Sequence, residues 1–81
     1  MVNAFVLINV EPGSEENVME QLKALNILEE AYISYGVYDI VIKVKADTME
    51  KLKEAITTKI RTTPHVQATL TLIMINENEL L

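Results

Sequence analysis

The chain has no cysteine, two glycines, two prolines and one histidine among its 81 residues. Without cysteine it has no disulfide to stabilise a small fold, and this composition fits a reducing compartment. Because Gly13 and Gly36 are its only glycines, it has no glycine-rich phosphate loop. His65 is the only imidazole and has no acid near it in sequence, so no nucleophilic triad is evident. We therefore expect no catalytic residues, no cofactor and no metal site.

Positive charge is also scarce, with seven Lys and Arg against twelve Asp and Glu, a net charge of −5. Binding to a phosphate backbone needs a positive face, and here the basic residues alternate with acidic ones. We therefore expect no direct binding to nucleic acid. The N-terminus lacks a basic region and its apolar run breaks at Asn9, which indicates neither a signal peptide nor a membrane span. We expect a cytoplasmic protein.

A chain of 81 residues is expected to form one domain, covering residues 1–81. Such a small domain buries only about 63% of its unfolded surface. Yet 49% of the residues are hydrophobic, and the mean hydropathy is +0.17. An apolar face that one small domain cannot cover needs cover from another chain, so the composition favours an oligomer.

The hydrophobic pattern predicts four strands and two helices. Strands are expected at 2–10, 27–35, 38–46 and 66–75, where β-branched residues dominate or apolar and polar residues alternate. The second and third should form a hairpin around Gly36 and Val37. Ser14 is expected to cap the first helix, and Asp47 with Glu50 to form a capping box for the second, which ends at 62–64. The pattern predicts no state for residues 76–81.

The resulting order, β-α-β-β-α-β, predicts an α+β, ferredoxin-like fold with a four-stranded antiparallel sheet and both helices on one face. The first and third strands should lie in the middle, and right-handed crossovers are expected to make that central pair parallel. The uncovered face should carry Phe5 and Leu7, or the other side of the first strand, together with Thr69, Thr71, Ile73 and Ile75. An isologous dimer, pairing two sheets face to face as in dimeric α/β barrels, would bury it.

Three short stretches are the most distinctive part of the sequence: 4–10 ahead of Pro12-Gly13, 34–40 (Ser-Tyr-Gly-Val-Tyr-Asp-Ile) and 66–72 (Val-Gln-Ala-Thr-Leu-Thr-Leu). In this order and spacing they resemble the effector-binding RAM domain of the Lrp/AsnC regulators. The family's usual helix-turn-helix is absent from this sequence, so we expect a stand-alone form. The family often has glycine where this chain has His65, and a smaller hydroxyl residue where it has Tyr35.

The resemblance implies sheet-to-sheet dimers, ring-shaped assemblies and amino acids bound between protomers. By this resemblance, one wall of the amino-acid-binding cleft is formed by Tyr35, Gly36, Val37 and Asp39. Thr69 and Thr71 are contributed to the cleft by the fourth strand of a neighbouring protomer. An aspartate suits an ammonium group, and glycine allows close backbone approach to a ligand. In the alternative interpretation, Gly36 only makes the turn and Asp39 only caps it.

The predicted function is therefore an oligomeric, non-enzymatic amino-acid sensor that modulates transcription through partner proteins, for example full-length Lrp/AsnC-type regulators. Two alternatives share the predicted topology. One is a small dimeric α/β-barrel enzyme of the monooxygenase or isomerase type, which needs a titratable group in a pocket of one protomer. The other is an ACT-like regulatory module, which also binds amino acids but pairs its sheets side by side.

Overall fold

The computed structural model describes residues 1–74, and the tail at 76–81 lies outside that range, as does Ile75. Its elements are β1 (Val2–Val10), α1 (Glu15–Lys23), β2 (Leu28–Ile33), β3 (Ile40–Ala46), α2 (Met49–Ala55) and β4 (Val66–Met74). A π-helical turn, Ile56–Ile60, continues α2. This order confirms the predicted β-α-β-β-α-β arrangement.

The four strands form one sheet in the order β2-β3-β1-β4. Every neighbouring pair is antiparallel, including the central pair β1 and β3, so the expectation of a parallel centre was wrong. The reason is that the crossover through α1 joins β1 to β2, not to β3. It sets β1 and β2 in the same direction, and the following hairpin reverses β3 between them.

One buried core lies between the sheet and the helices. The central strands contribute alternate residues to it, as their period of two predicts, and the helices contribute one stripe each. The fully or almost fully buried side chains are Ala4, Val6, Ile8, Val10, Val18, Met19, Leu22, Ile40, Ile42, Val44, Leu52, Ile56 and Ile60.

The faces of β4 are the reverse of those expected. Thr69, Thr71 and Ile73 pair with Ile8, Val6 and Ala4 of β1 and therefore lie on the helix side. The cause is a β-bulge: Val10 pairs with Val66, but Asn9 pairs with Ala68, so Gln67 is an extra residue. An extra residue inverts the alternation that follows it.

The uncovered face of the sheet consequently carries the larger apolar residues of β4. Leu70, Leu72 and Met74 are 45%, 47% and 48% exposed. They lie opposite the outward-facing residues of β1, including the half-buried Phe5 and Leu7. The expected apolar face therefore exists, but with different members on β4; Ile73, which was assigned to it, packs partly against the core instead.

The connection between β2 and β3 is longer than the predicted turn. The strands end at Ile33 and resume at Ile40, so Ser34–Asp39 form a six-residue loop around Gly36 and Val37. It is closed by the Ser34 N–H, which donates to the Asp39 carbonyl oxygen at 2.8 Å. Tyr35 and Tyr38, which the predicted bounds 27–35 and 38–46 placed at strand ends, belong to this loop.

The helix starts lie where they were expected, but the capping contacts differ. Ser14 occupies the N-cap of α1 without a side-chain capping bond. For α2 the N-cap is Thr48, not Asp47, because the Thr48 Oγ1 accepts from the Lys51 N–H at 3.1 Å. Asp47 instead lies 3.9 Å from the Lys51 ammonium, with both side chains largely exposed.

Replacing Thr48 by alanine should lower the free energy of unfolding by about 1 kcal/mol, because one N–H of the first turn of α2 loses its acceptor. Asp47→Ala is the matched control, since it removes only an exposed ion pair of small energetic value. Urea denaturation of both variants measures the difference. If the Asp47 variant proved the less stable, the capping assignment would be wrong.

Candidate functional site

The first part of the predicted site, the loop Ser34–Asp39, projects two apolar side chains into solvent. Tyr35 is 100% exposed and Val37 is 84% exposed. At Gly36 the φ angle is 157°, and a Cβ built there would meet no atom within 4 Å. The loop therefore presents an accessible backbone between two apolar side chains, which is a surface suited to contact with another molecule.

Asp39 ties this loop to the end of β1. Its Oδ2 accepts from the Val10 N–H at 2.9 Å and from the Asn9 Nδ2 at 3.5 Å. The same Asn9 amide donates to the Val37 carbonyl oxygen at 2.7 Å, and the Asp39 N–H donates to the Ile8 carbonyl oxygen at 2.9 Å. Within one protomer, these contacts support the alternative interpretation, in which Asp39 caps the loop. Among residues 1–74, no hydrogen bond to its Oδ1 is found, so that oxygen is available to a donor from outside.

The second part of the predicted site lies elsewhere on the protomer. Thr69 and Thr71 line an open groove of about 710 Å³ between β4 and the helix formed by α2 and its π-helical turn. The groove combines apolar residues with hydroxyl, amide and cationic groups. Its lining residues are Lys53, Ile56, Thr57, Arg61, Val66, Gln67, Ala68, Thr69, Thr71 and Ile73.

One protomer does not bring the two parts together. Asp39 bonds to Ile8 from one side of β1, and Thr69 pairs with Ile8 from the other. Two strand spacings, about 10 Å, therefore separate their backbones. A site that used both parts would need the loop of one protomer and the groove of another, as the sequence resemblance implies.

Sequence reasoning missed the cationic side of this groove. Lys53, Thr57 and Arg61 recur at every fourth residue, so they follow one another along one face of the helix. That spacing was the available signal, but the same residues also fit a solvated helix face. Only the position of β4 beside this face shows that it borders a groove.

His65, which had no acid near it in sequence, has one in space. Its Nδ1 lies 3.0 Å from the Glu11 Oε2, and the Glu11 N–H donates to the His65 carbonyl oxygen at 3.0 Å. The φ angle of His65 is +74°, in the left-handed region that favours glycine. This conformation accounts for the glycine that the family often has here, and the contacts with Glu11 hold the turn before β4.

The uncovered face of the sheet is apolar at β1 and β4 and charged toward β2. Lys43 lies 3.7 Å from Glu29 and 3.8 Å from Glu30, and Lys45 lies 3.2 Å from Glu29. The Tyr32 hydroxyl donates to the Glu30 carboxylate at 2.6 Å, and this bond, with the negative charge of Glu30, raises the pKa of Tyr32. The face is thus divided into an apolar half and a charged half.

Within residues 1–74, no group of three or more His, Asp or Glu side chains is arranged to hold a metal ion. Over the same residues, no helix is long and apolar enough to cross a membrane.

The fold and the site together define a small ferredoxin-like domain with a projecting loop, a groove along its edge strand and an uncovered sheet face. The sequence profile of the Lrp/AsnC ligand binding domain matches residues 3–79. The chain belongs to this family, and the resemblance seen in its motifs is confirmed.

Individual relatives agree with this assignment. An uncharacterized HTH-type transcriptional regulator of Pyrococcus furiosus is 33% identical over 73 residues, covering 86% of this chain and 49% of that protein. The chain therefore spans about half the length of this curated relative. The crystal structure of FFRP-DM1 is 47% identical, covers 93% of this chain and 100% of its own, and has a TM-score of 0.90. A feast or famine regulatory protein from M. tuberculosis, complexed with L-methionine, is 26% identical and has a TM-score of 0.79. The match covers 94% of this chain and 51% of that protein.

Asp39→Ala should lower the free energy of unfolding by about 1–3 kcal/mol, because the buried Val10 N–H loses its acceptor. Asp39→Asn should cost less, since the amide retains an oxygen that can accept this bond. Chemical denaturation compares the two, with Asp47→Ala as the control for loss of an exposed carboxylate. An Asp39→Ala protein as stable as the parent would show that the bond to Val10 contributes little.

Proposed function

We propose that the chain is a non-enzymatic, oligomeric domain that binds an amino acid and thereby regulates transcription through partner proteins. The observation that carries this proposal is the match of residues 3–79 to the Lrp/AsnC ligand binding domain. The L-methionine complex of the related M. tuberculosis protein supports an amino acid as the class of ligand. The Pyrococcus furiosus relative, which is named a transcriptional regulator, supports the regulatory role.

The proposed site lies between protomers. Asp39 contributes its Oδ1 to the ligand ammonium, while its Oδ2 remains bonded to Val10. The exposed backbone around Gly36 allows the loop to approach the ligand closely. Thr69 and Thr71 come from the groove of a neighbouring protomer, and Tyr35 and Val37 cover the ligand from the loop. A site shared between two protomers is consistent with the positions of the loop and the groove on opposite sides of β1.

The enzymatic alternative has less support. A barrel enzyme needs a titratable group in a pocket within one protomer, and His65 instead lies at the surface, 46% exposed, against Glu11. The groove beside β4 holds threonines and two cations but no imidazole or carboxylate among its lining residues. The groove is therefore better suited to holding a ligand than to exchanging protons with it.

A second copy of the chain is proposed to cover the uncovered sheet face. Its half at β1 and β4 is apolar, and a contiguous apolar patch on a protein surface typically marks a site of interaction. The patch consists of the half-buried Phe5 and Leu7 and the exposed Leu70, Leu72 and Met74. A two-fold axis would place this surface against itself. Rings of such dimers, and mixed assemblies with full-length Lrp/AsnC-type regulators, follow as further proposals from the family.

The amino-acid ligand is tested first by a thermal-shift screen of the twenty amino acids, because a ligand that binds the native state raises the melting temperature. Calorimetry on the ligand found should show an affinity lower by about tenfold to a hundredfold in Asp39→Asn, which loses a charge-assisted hydrogen bond. Thr71→Val should also weaken binding, since it removes one hydroxyl at nearly constant shape.

Asp47→Asn is the matched control for this experiment, because it removes an exposed carboxylate that lies outside the proposed site. Its affinity should equal that of the parent protein, and all variants should keep the parent's oligomeric state. A screen without any melting shift would contradict the proposed function. Unchanged affinity in both site variants would place the ligand elsewhere.

The dimer is tested by light scattering at micromolar concentration. The parent chain should be at least dimeric, and Leu72→Glu should dissociate it, because burying an unpaired carboxylate in an apolar interface costs several kcal/mol. Thr58→Glu, which adds the same charge at an exposed helical position, should leave the assembly intact. A parent protein that is a well-behaved 9.2 kDa monomer would refute the proposal.

A further inference from the structure

The groove beside β4 is positively charged in an acidic protein. The chain carries a net charge of −5, but the groove is lined by Lys53 and Arg61 and by no carboxylate among its described residues. The ion pairs found within residues 1–74 involve neither of these cations. Both are thus available to an anion from outside the protomer.

The polar groups of the groove come from two facing elements. Lys53, Thr57 and Arg61 lie along the helix, and Thr69 and Thr71 line the opposite side of the groove on β4. Along the helix, the backbones of Lys53 and Arg61 are at most about 12 Å apart, the value for an α-helical rise of 1.5 Å per residue, and both side chains are long and flexible. The two cations can therefore approach two separate anionic groups of one small ligand.

The groove is large enough to admit such a ligand, and its lining suits one. Its volume of about 710 Å³ lies within the range of small-molecule sites. Ile56, Val66 and Ile73 supply an apolar floor for a short carbon chain. A neutral amino acid has one carboxylate for these two cations, whereas an acidic amino acid has two.

We propose that Lys53 and Arg61 determine ligand specificity, so that the site prefers acidic amino acids and related dicarboxylates to neutral amino acids. This inference rests on the proposed function in one respect: it takes Thr69 and Thr71 as contacts of the same ligand. Arg61 binds one carboxylate as a planar, bidentate donor. Lys53 attracts the second, and the apolar floor accommodates the carbon chain between them.

The decisive measurement is calorimetry with glutamate, glutamine and glutarate on the intact chain. Glutamate and glutamine differ by one charge at nearly equal size, and glutarate has both carboxylates but no ammonium. The parent protein should bind glutamate about tenfold or more tightly than glutamine, as expected for one additional charge-assisted contact. Glutarate should bind as well, independently of Asp39.

The variants Lys53→Gln and Arg61→Gln should each reduce the preference for glutamate over glutamine, and the double variant should abolish it. Both positions are exposed, so these substitutions leave the core intact, which thermal unfolding can verify. Lys23→Gln, at the exposed end of α1, is the charge-matched control and should keep the full preference.

The outcomes separate this inference from the proposed function. If neutral amino acids bind as tightly as glutamate, or the preference persists in the double variant, the inference is wrong and the amino-acid sensor stands. If glutarate binds through Lys53 and Arg61 but no amino acid binds, the preference of the groove for dicarboxylates is confirmed. The amino-acid sensor proposal then fails. If neither class binds, both fail.

Discussion

The pairing of β1 with both of its neighbours is the constraint on which the rest of the structure depends. β1 is central, and its register places Ala4, Val6 and Ile8 against the helices while Phe5 and Leu7 face outward. Hydrogen bonds with β3 on one side and β4 on the other transmit this choice of face across the sheet. The same strand bonds to Asp39 twice: the Ile8 carbonyl oxygen accepts from the Asp39 N–H, and the Val10 N–H donates to the Asp39 Oδ2. β1 therefore positions the core and the loop of the candidate site together.

The bulge at Gln67 gives β4 two chemically different faces. Without the extra residue, Leu70 and Leu72 would face the helices, and the threonines would lie on the uncovered face. With it, Leu70 and Leu72 are exposed on the uncovered face, and Thr69 and Thr71 line the groove beside Lys53 and Arg61. One inserted residue therefore separates a surface suited to a second protomer from a surface suited to a polar ligand.

Local signals in the sequence were sufficient to predict the order of the helices and strands. Which side of β4 faces the helices depends on contacts between residues distant in sequence. The periods of β1, β3 and the helices correctly predicted the order of elements and most of the core, because each is set by neighbouring residues. The side of β4 and the direction of the central pair depend on pairing across the sheet. The loop and β4 residues of the proposed site were predicted from short motifs. Lys53 and Arg61 were not, because their spacing is also typical of a solvated helix.

The two edges of the sheet differ in how they are protected. β2 carries Glu29 and Glu30, and charges on an edge strand discourage pairing with stray chains. β4 is the opposite edge, and its nine residues, VQATLTLIM, contain no charge at all. Such an uncharged strand, rich in β-forming residues, is a template for aggregation when it is left alone. The uncharged edge of β4 therefore favours strand-to-strand association of isolated protomers, and any partner that covered this edge would also suppress aggregation.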